Sequence, residues 1–288
     1  MSMKALHFYS LIIVTTFLMG SSFAVVKLGM LYASPLLLAA LRFIVAGVVM
    51  AIIIHFCAQP LPKKHNHWLQ ILCIGALQTA GVMGCIFLSL RTITASESSI
   101  LTFMNPLLVI IFGTLFFKQR YYTYQWLGVL CGFIGVYMTM GTTLQVESGI
   151  WIGFCSAIFW AFATLLTKRW NVHLNTWVLS AYQMLFGGLL LLLLSFLAEQ
   201  PFFIVNVKSV SLLLWLSIMS SIVQFALWFF LLQKGDAGKT SSFLFLAPFF
   251  GVLTGWLLFD DPLSMKLIIG GMLIIAGIYL VNRPRVVT

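Results

Sequence analysis

The chain has 288 residues, of which 61% are apolar and only 8% are charged. That balance lies outside the range of soluble globular proteins and excludes a water-soluble enzyme or module. The net charge of +10 would suit a nucleic-acid partner, but the basic residues fall in short segments between apolar runs, a placement that excludes a nucleic-acid surface.

A helix that crosses a bilayer needs about 20 apolar residues. Ten such runs follow one another, near 8–28, 35–57, 68–90, 96–117, 124–141, 149–167, 175–198, 209–233, 240–259 and 267–282. The connections are mostly short and leave no room for a soluble domain. The first run starts after Lys4 and passes Gly20-Ser21-Ser22, a pattern that a cleaved signal peptide also shows. It continues apolar to Leu31 and has a counterpart at 150–168, in mid-chain, so it is read as a span.

The second half repeats the first. Sliding residues 95–139 by 142 positions onto 237–281, without gaps, gives ten identities in 45 positions, among them Pro106/Pro248, Gly128/Gly270, Gly135/Gly277 and Tyr137/Tyr279. A shift of 141 aligns Gly47 with Gly188 and Lys27 with Lys168. A repeat of half the chain points to duplication. Each unit holds five runs, an odd number, so the second enters the bilayer upside down. The expected fold is an all-α integral membrane protein with ten transmembrane helices, built from two inverted five-helix repeats, residues 1–143 and 144–288. Inverted repeats are an architecture of secondary transporters, with the substrate between the halves near the midplane.

Charge sets the orientation. With the N-terminus in the cytoplasm, eleven of the sixteen Lys and Arg residues lie inside and five (Lys27, Arg42, Arg91, Lys208, Lys266) lie outside or at outer span ends. Lys118-Gln119-Arg120 after the fourth run aligns with Asp260-Asp261-Pro262 after the ninth, so corresponding positions exchange basic for acidic residues. Both termini are therefore expected in the cytoplasm.

Polar residues at helical spacing interrupt the apolar runs. Thr94, Ser98, Thr102 and Asn105 line one face of the fourth run; Thr176, Ser180, Gln183 and Gly187 line the seventh. The sixth carries Ser156, Trp160, Thr164 and Thr167; the eighth carries Ser217, Ser220 or Ser221, Gln224 and Trp228; the third carries Gln78, Cys85 and Ser89. Lipid rejects such faces, so they turn toward protein or a wet cavity. Ordinary interhelical packing explains any single Ser or Thr. Convergence of several stripes favours a cavity, whose path is expected to include Ser21, Ser22, Gln78, Ser98, Thr102, Asn105, Trp160, Thr164, Gln183, Gln224 and Trp228. Two charges stand closer to the apolar core, Glu97 near the outer end of the fourth run and Arg42 about two turns into the second. A buried charge costs at least about 2.5–3.5 kcal/mol on insertion scales, so such residues are paired or functional. Glu97 and Arg42 are expected to pair near the outer mouth as a gate or coupling site. The structural alternative is that Arg42 holds helices together through backbone carbonyls.

The five cysteines show no C-x-x-C pair and are expected as small core residues; His65-Asn66-His67 reads as a solvated turn. No metal site or other cofactor is expected, and no Walker loop, G-x-S-x-G elbow or HExxH helix is visible.

Met19-Gly20-Ser21-Ser22-Phe23 followed by Lys27 resembles the W-G-x-x-F…K opening of the EamA group of the drug/metabolite transporter superfamily. Leu41-Arg42-Phe43 resembles the start of that family's second span, and Ala95–Pro106 with Gly128-x6-Gly135 resembles the end of one unit, repeated through Pro248, Asp261 and Gly270-x6-Gly277. The chain departs from the pattern at Met19, where the family has tryptophan, and at Gln119, where it has glutamate. The resemblance implies a basket of ten helices in the bacterial cytoplasmic (inner) membrane that exports small metabolites, amino acids or drugs. The expectation is an exporter of amphipathic or zwitterionic solutes, working by alternating access, with protons as the candidate coupling ion. Multidrug efflux is the runner-up; a membrane scaffold or membrane-embedded enzyme is the alternative of another class.

Overall fold

The computed structural model describes residues 5–93, 98, 101–140, 148–170, 175–259 and 265–282. Apolar sequence between polar breakers dictates helices here, because lipid offers no partner for a free backbone N–H or carbonyl. The helices are α1 (Ala5–Gly29), α2 (Pro35–Phe56), α3 (His65–Ser89), α4 (Asn105–Phe117), α5 (Thr123–Met140), α6 (Ser148–Trp170), α7 (Thr176–Ala198), α8 (Val207–Lys234), α9 (237–259) and α10 (Met265–Asn282). Among the described residues there is no strand, only one bridged pair, Ala33 with Phe203. Six helices, α1, α2, α3, α6, α7 and α8, are long and apolar enough to cross a membrane; the apolar stretches of α4, α9 and α10 are shorter. The chain is a multi-pass membrane protein.

Local chemistry sets the boundaries. Pro35 opens α2, where its missing N–H is no loss. The next two amides, of Leu36 and Leu37, donate to the Glu199 carboxylate at 3.3 and 2.9 Å, so a residue at the end of α7 caps α2. Asn175 caps α7, accepting from the amides of Trp177 and Val178, and Asn206 with Ser209 forms a capping box on α8. Lys118 takes the left-handed conformation (φ 52°) to end α4. Pro106 and Pro248, matched in the repeat, each sit just behind a break in the helix. Pro106 is the second residue of α4, behind a turn at 103–104. Pro248 is the third residue of Leu246–Phe259, behind a 3-10 turn, Phe243–Phe245, so both helices break just before the proline.

Two helix pairs carry the closest approaches. A Cβ on Gly128 would lie 2.7 Å from the Gly277 carbonyl oxygen, and one on Gly277 would lie 2.5 Å from that of Gly128. Gly135 stands in the same way against the Gly270 carbonyl. Numbering rises along α5 as it falls along α10, so the two run antiparallel. Likewise, Gly47 of α2 abuts the Leu185 backbone, and Gly188 of α7 abuts the Ile44 backbone. Each contact occurs twice, with the roles of the aligned residues exchanged. Only glycine permits backbones this close, and the approach replaces lipid contacts with dense dispersion contacts.

Residues facing outward are apolar, Ile52, Leu193, Phe196 and Leu197 among them, while Ser156, Thr164, Gln183 and Ser217 are fully buried. The polarity gradient is thus inverted relative to a soluble protein, as lipid demands. Two expectations are corrected. Cys57 and Cys155 are exposed rather than in the core, since a small thiol suits lipid as well as protein. His65–His67 forms the first turn of α3, with the Trp68 indole N–H bonded to the Pro62 carbonyl at 3.0 Å, so the turn precedes His65 rather than containing it.

Candidate functional site

Helices α3 and α8 each change pitch halfway. Gly75–Gly81 in α3 and Ile218–Val223 in α8 are π-helical, with backbone hydrogen bonds that span one residue more than in the flanking α-helix. Such a segment displaces side chains and carbonyls from the regular ladder and is frequent at functional sites. Both are met by a polar side chain from a helix of the other half of the chain. Arg42 of α2 donates from Nε to the Ser221 hydroxyl at 2.7 Å and from Nη2 to the Ser220 carbonyl at 2.5 Å. Gln183 of α7 accepts at Oε1 from the Thr79 hydroxyl at 2.6 Å. The shift of 141 that aligns Gly47 with Gly188 carries Arg42 onto Gln183 and Thr79 onto Ser220. The two corners therefore correspond in place, one with a cation and the other with an amide, although Ser221, the hydroxyl partner of Arg42, aligns with Ala80.

The Arg42 corner opens on a partly open cavity, with about 380 Å³ of atom-free space when its open mouth is included. Arg42 and Gln224 give it a polar side, with Ser22 beside them; Phe23, Phe103 and Trp160 give it aromatic walls. The rings form a chain, with Phe23 6.0 Å from Phe103, Phe103 5.7 Å from Trp160, and Trp160 6.1 Å from Trp228. The Gln224 Oε1 atom and the indole nitrogens of Trp160 and Trp228 are buried without a protein partner. An apolar pocket with a few placed polar atoms is the usual form of a small-molecule site. Among the described residues no group of three His, Cys, Asp or Glu side chains gathers to hold a metal ion.

Of the path residues expected from sequence, Ser22, Trp160 and Gln224 line this cavity, together with Arg42. Trp228 touches it through Trp160. Thr102, ahead of the turn that precedes α4, is paired with Ser156 of α6 at 2.8 Å, and Ser98 with Ser89 at 2.6 Å. Ser21 returns its hydroxyl to the Leu18 carbonyl of its own helix. Gln78, Asn105 and Thr164 are buried with polar atoms that have no protein partner, but they are not among the residues lining the cavity. Gln183 lies at the opposite corner. Glu97 lies outside the described residues, and so does its expected pairing with Arg42. Among the described residues the partners of Arg42 are a hydroxyl and a carbonyl, the helix-holding role that was the alternative. Sequence reasoning missed the aromatic contribution of Phe23 and Phe103 and the two π turns. Periodicity could not separate those phenylalanines from lipid-facing ones.

The EamA-like transporter family model matches residues 7–141 and again 147–283. The uncharacterized transporter YoaV of Bacillus subtilis is 24% identical over 275 residues, covering 93% of this chain and 94% of its own. A protein named as a probable amino-acid metabolite efflux pump of Salmonella typhimurium is 25% identical over 288 residues, covering 95% of this chain and 93% of its own. One crystal structure covers 95% of this chain and 98% of its own with a TM-score of 0.81 at 20% identity, so the fold is shared.

Proposed function

Because the chain belongs to the EamA-like transporter family, we propose that it is a secondary transporter of the bacterial cytoplasmic membrane that exports small amphipathic or zwitterionic metabolites, amino acids foremost. The observation that carries the substrate class is the cavity at Arg42. It joins an aromatic wall to polar atoms on one side, and an amphipathic solute needs both. Similarity to the Salmonella protein named as a probable amino-acid metabolite efflux pump supports the same class.

The mechanism in this reading is alternating access between two inverted five-helix halves, 1–143 and 144–288, with both termini in the cytoplasm. It is supported by the two successive matches of one family model and by glycine contacts that recur with exchanged roles in antiparallel pairs. A two-fold relation in the membrane plane produces that reciprocity. The π turns in α3 and α8 are the places where each half grips the other, and the grip at Arg42 sits on the cavity wall. Motion of one half against the other moves that wall.

Coupling to protons requires a carboxylate whose ionisation changes during the cycle. Glu97 is the acidic residue that the sequence sets nearest the apolar core, and we assign the role to it. Replacing Glu97 by Gln in proteoliposomes with an imposed pH gradient tests this. Accumulation should be lost while exchange persists, and unchanged accumulation would refute the assignment. The export reading itself is tested by uptake of labelled amino acids into inverted vesicles, scanned over a panel. Saturable uptake of one or more is expected, and no uptake of any would overturn it.

A further inference from the structure

Resting on that transporter reading, we propose that Arg42 is the carboxylate subsite of the cavity and that Gln224 receives the ammonium of the same solute, so that the substrate is a zwitterion with an apolar or aromatic body. Arg42 is only 1% exposed, and it sits within a membrane helix. Its two hydrogen bonds among the described residues go to neutral oxygens, Ser221 Oγ and Ser220 O, and use two of the five N–H donors of a guanidinium. Among the described residues no carboxylate meets it. Among the described residues this buried cation meets only neutral oxygens and the Phe43 ring, 4.7 Å from its guanidinium carbon, and an anion arriving in the cavity would add short, charge-assisted bonds.

The corresponding corner shows that the fold does not demand the charge. Gln183 fills the same place against the π turn of α3 with one neutral hydrogen bond. The charge at position 42 exceeds what packing needs, and it faces the cavity, whereas Gln183 does not line it. Gln224 lies on the same cavity, 3% exposed, with Oε1 unpartnered. An amide oxygen accepts from an ammonium, and a guanidinium cannot. The two groups therefore sort the ends of a zwitterion, while Phe23, Phe103 and Trp160 cover its apolar body. A cationic amine without a carboxylate meets like charge at Arg42 and is rejected, which sets this site apart from one for cationic drugs.

The test uses the full chain and probes that differ at one group: L-phenylalanine, L-phenylalaninamide and 3-phenylpropionate. Binding to the purified protein is read from tryptophan fluorescence, and transport from counterflow in proteoliposomes. Wild type should bind L-phenylalanine at least about tenfold more tightly than the amide, a gap of about 1.4 kcal/mol. Arg42→Gln should bring that ratio toward one and unfold within a few degrees of wild type, since Gln183 performs the same packing task. Arg42→Lys should keep part of the preference. Gln224→Leu should weaken L-phenylalanine and leave 3-phenylpropionate less affected. Equal binding of acid and amide by wild type would overturn the subsite whatever the variants do, and so would binding of neither. Counterflow with some other solute of the panel would then leave the transporter reading standing; no counterflow with any would remove both.

Discussion

Arg42 and Gln183 stand at corresponding positions, on α2 and α7, and each reaches into a π turn of the other half. They differ in charge and in what lies beside them. The Gln183 corner is closed by glycine contacts, with Gly187 set against Thr79 and Gly75 against the Gln183 backbone. The Arg42 corner borders the cavity. Duplication supplies the same backbone twice, and the difference between copies then isolates what the backbone does not require. In this molecule that difference is a buried cation beside a pocket.

The comparison can be broken most directly by making the corners alike. Gln183→Arg places a second cation outside the lining of the Arg42 cavity and should lower stability by about 3 kcal/mol, a buried charge being that costly on insertion scales. Thermal unfolding in detergent measures this, and a variant as stable as wild type would show that both corners are wet. Next in size is Gly277→Val. Its Cβ would stand 2.5 Å from the Gly128 carbonyl oxygen, so α5 and α10 must separate. A loss of about 2 kcal/mol is expected from overpacking, and the same unfolding assay reads it.

The aligned lysines give a smaller contrast of the same kind. Lys168 donates to the Leu232, Gln233 and Gly235 carbonyls and closes the end of α8, whereas Lys27 is exposed. Lys168→Met should cost about 1.5 kcal/mol, the loss of a charged hydrogen bond. Lys27→Met should change stability by less than about 0.5 kcal/mol, as for an exposed surface site. Equal effects in paired unfolding measurements would mean that the two halves end their helices alike.

Much of this was legible in the sequence because lipid imposes a simple rule. Apolar runs long enough to span placed the helices, and α2, α6 and α7 begin and end within a few residues of the expected limits. The stripe Ser156, Trp160, Thr164, Thr167 is buried along its length for the same reason. Pairings were not legible. Which hydroxyl meets Thr102, or which turn meets Arg42, depends on helix rotation, and rotation is set by backbone contacts such as Gly47 with Leu185. A π turn has no propensity signature at all, since Gly75–Gly81 reads as ordinary span sequence. The correspondence of Arg42 with Gln183 was present in the 141-residue shift, but its meaning needed the partners, Ser220, Ser221 and Thr79.

The central claim is that a solute passes through the cavity at Arg42, which each side of the membrane reaches in turn. Ser22 lines that cavity and differs from cysteine by one atom. In a background with the five native cysteines replaced, Ser22→Cys can be alkylated by a membrane-impermeant thiol reagent applied to either face of sealed vesicles. The account predicts labelling from both faces, slowed by a transported amino acid. Labelling from one face only, at a rate no solute changes, would contradict it.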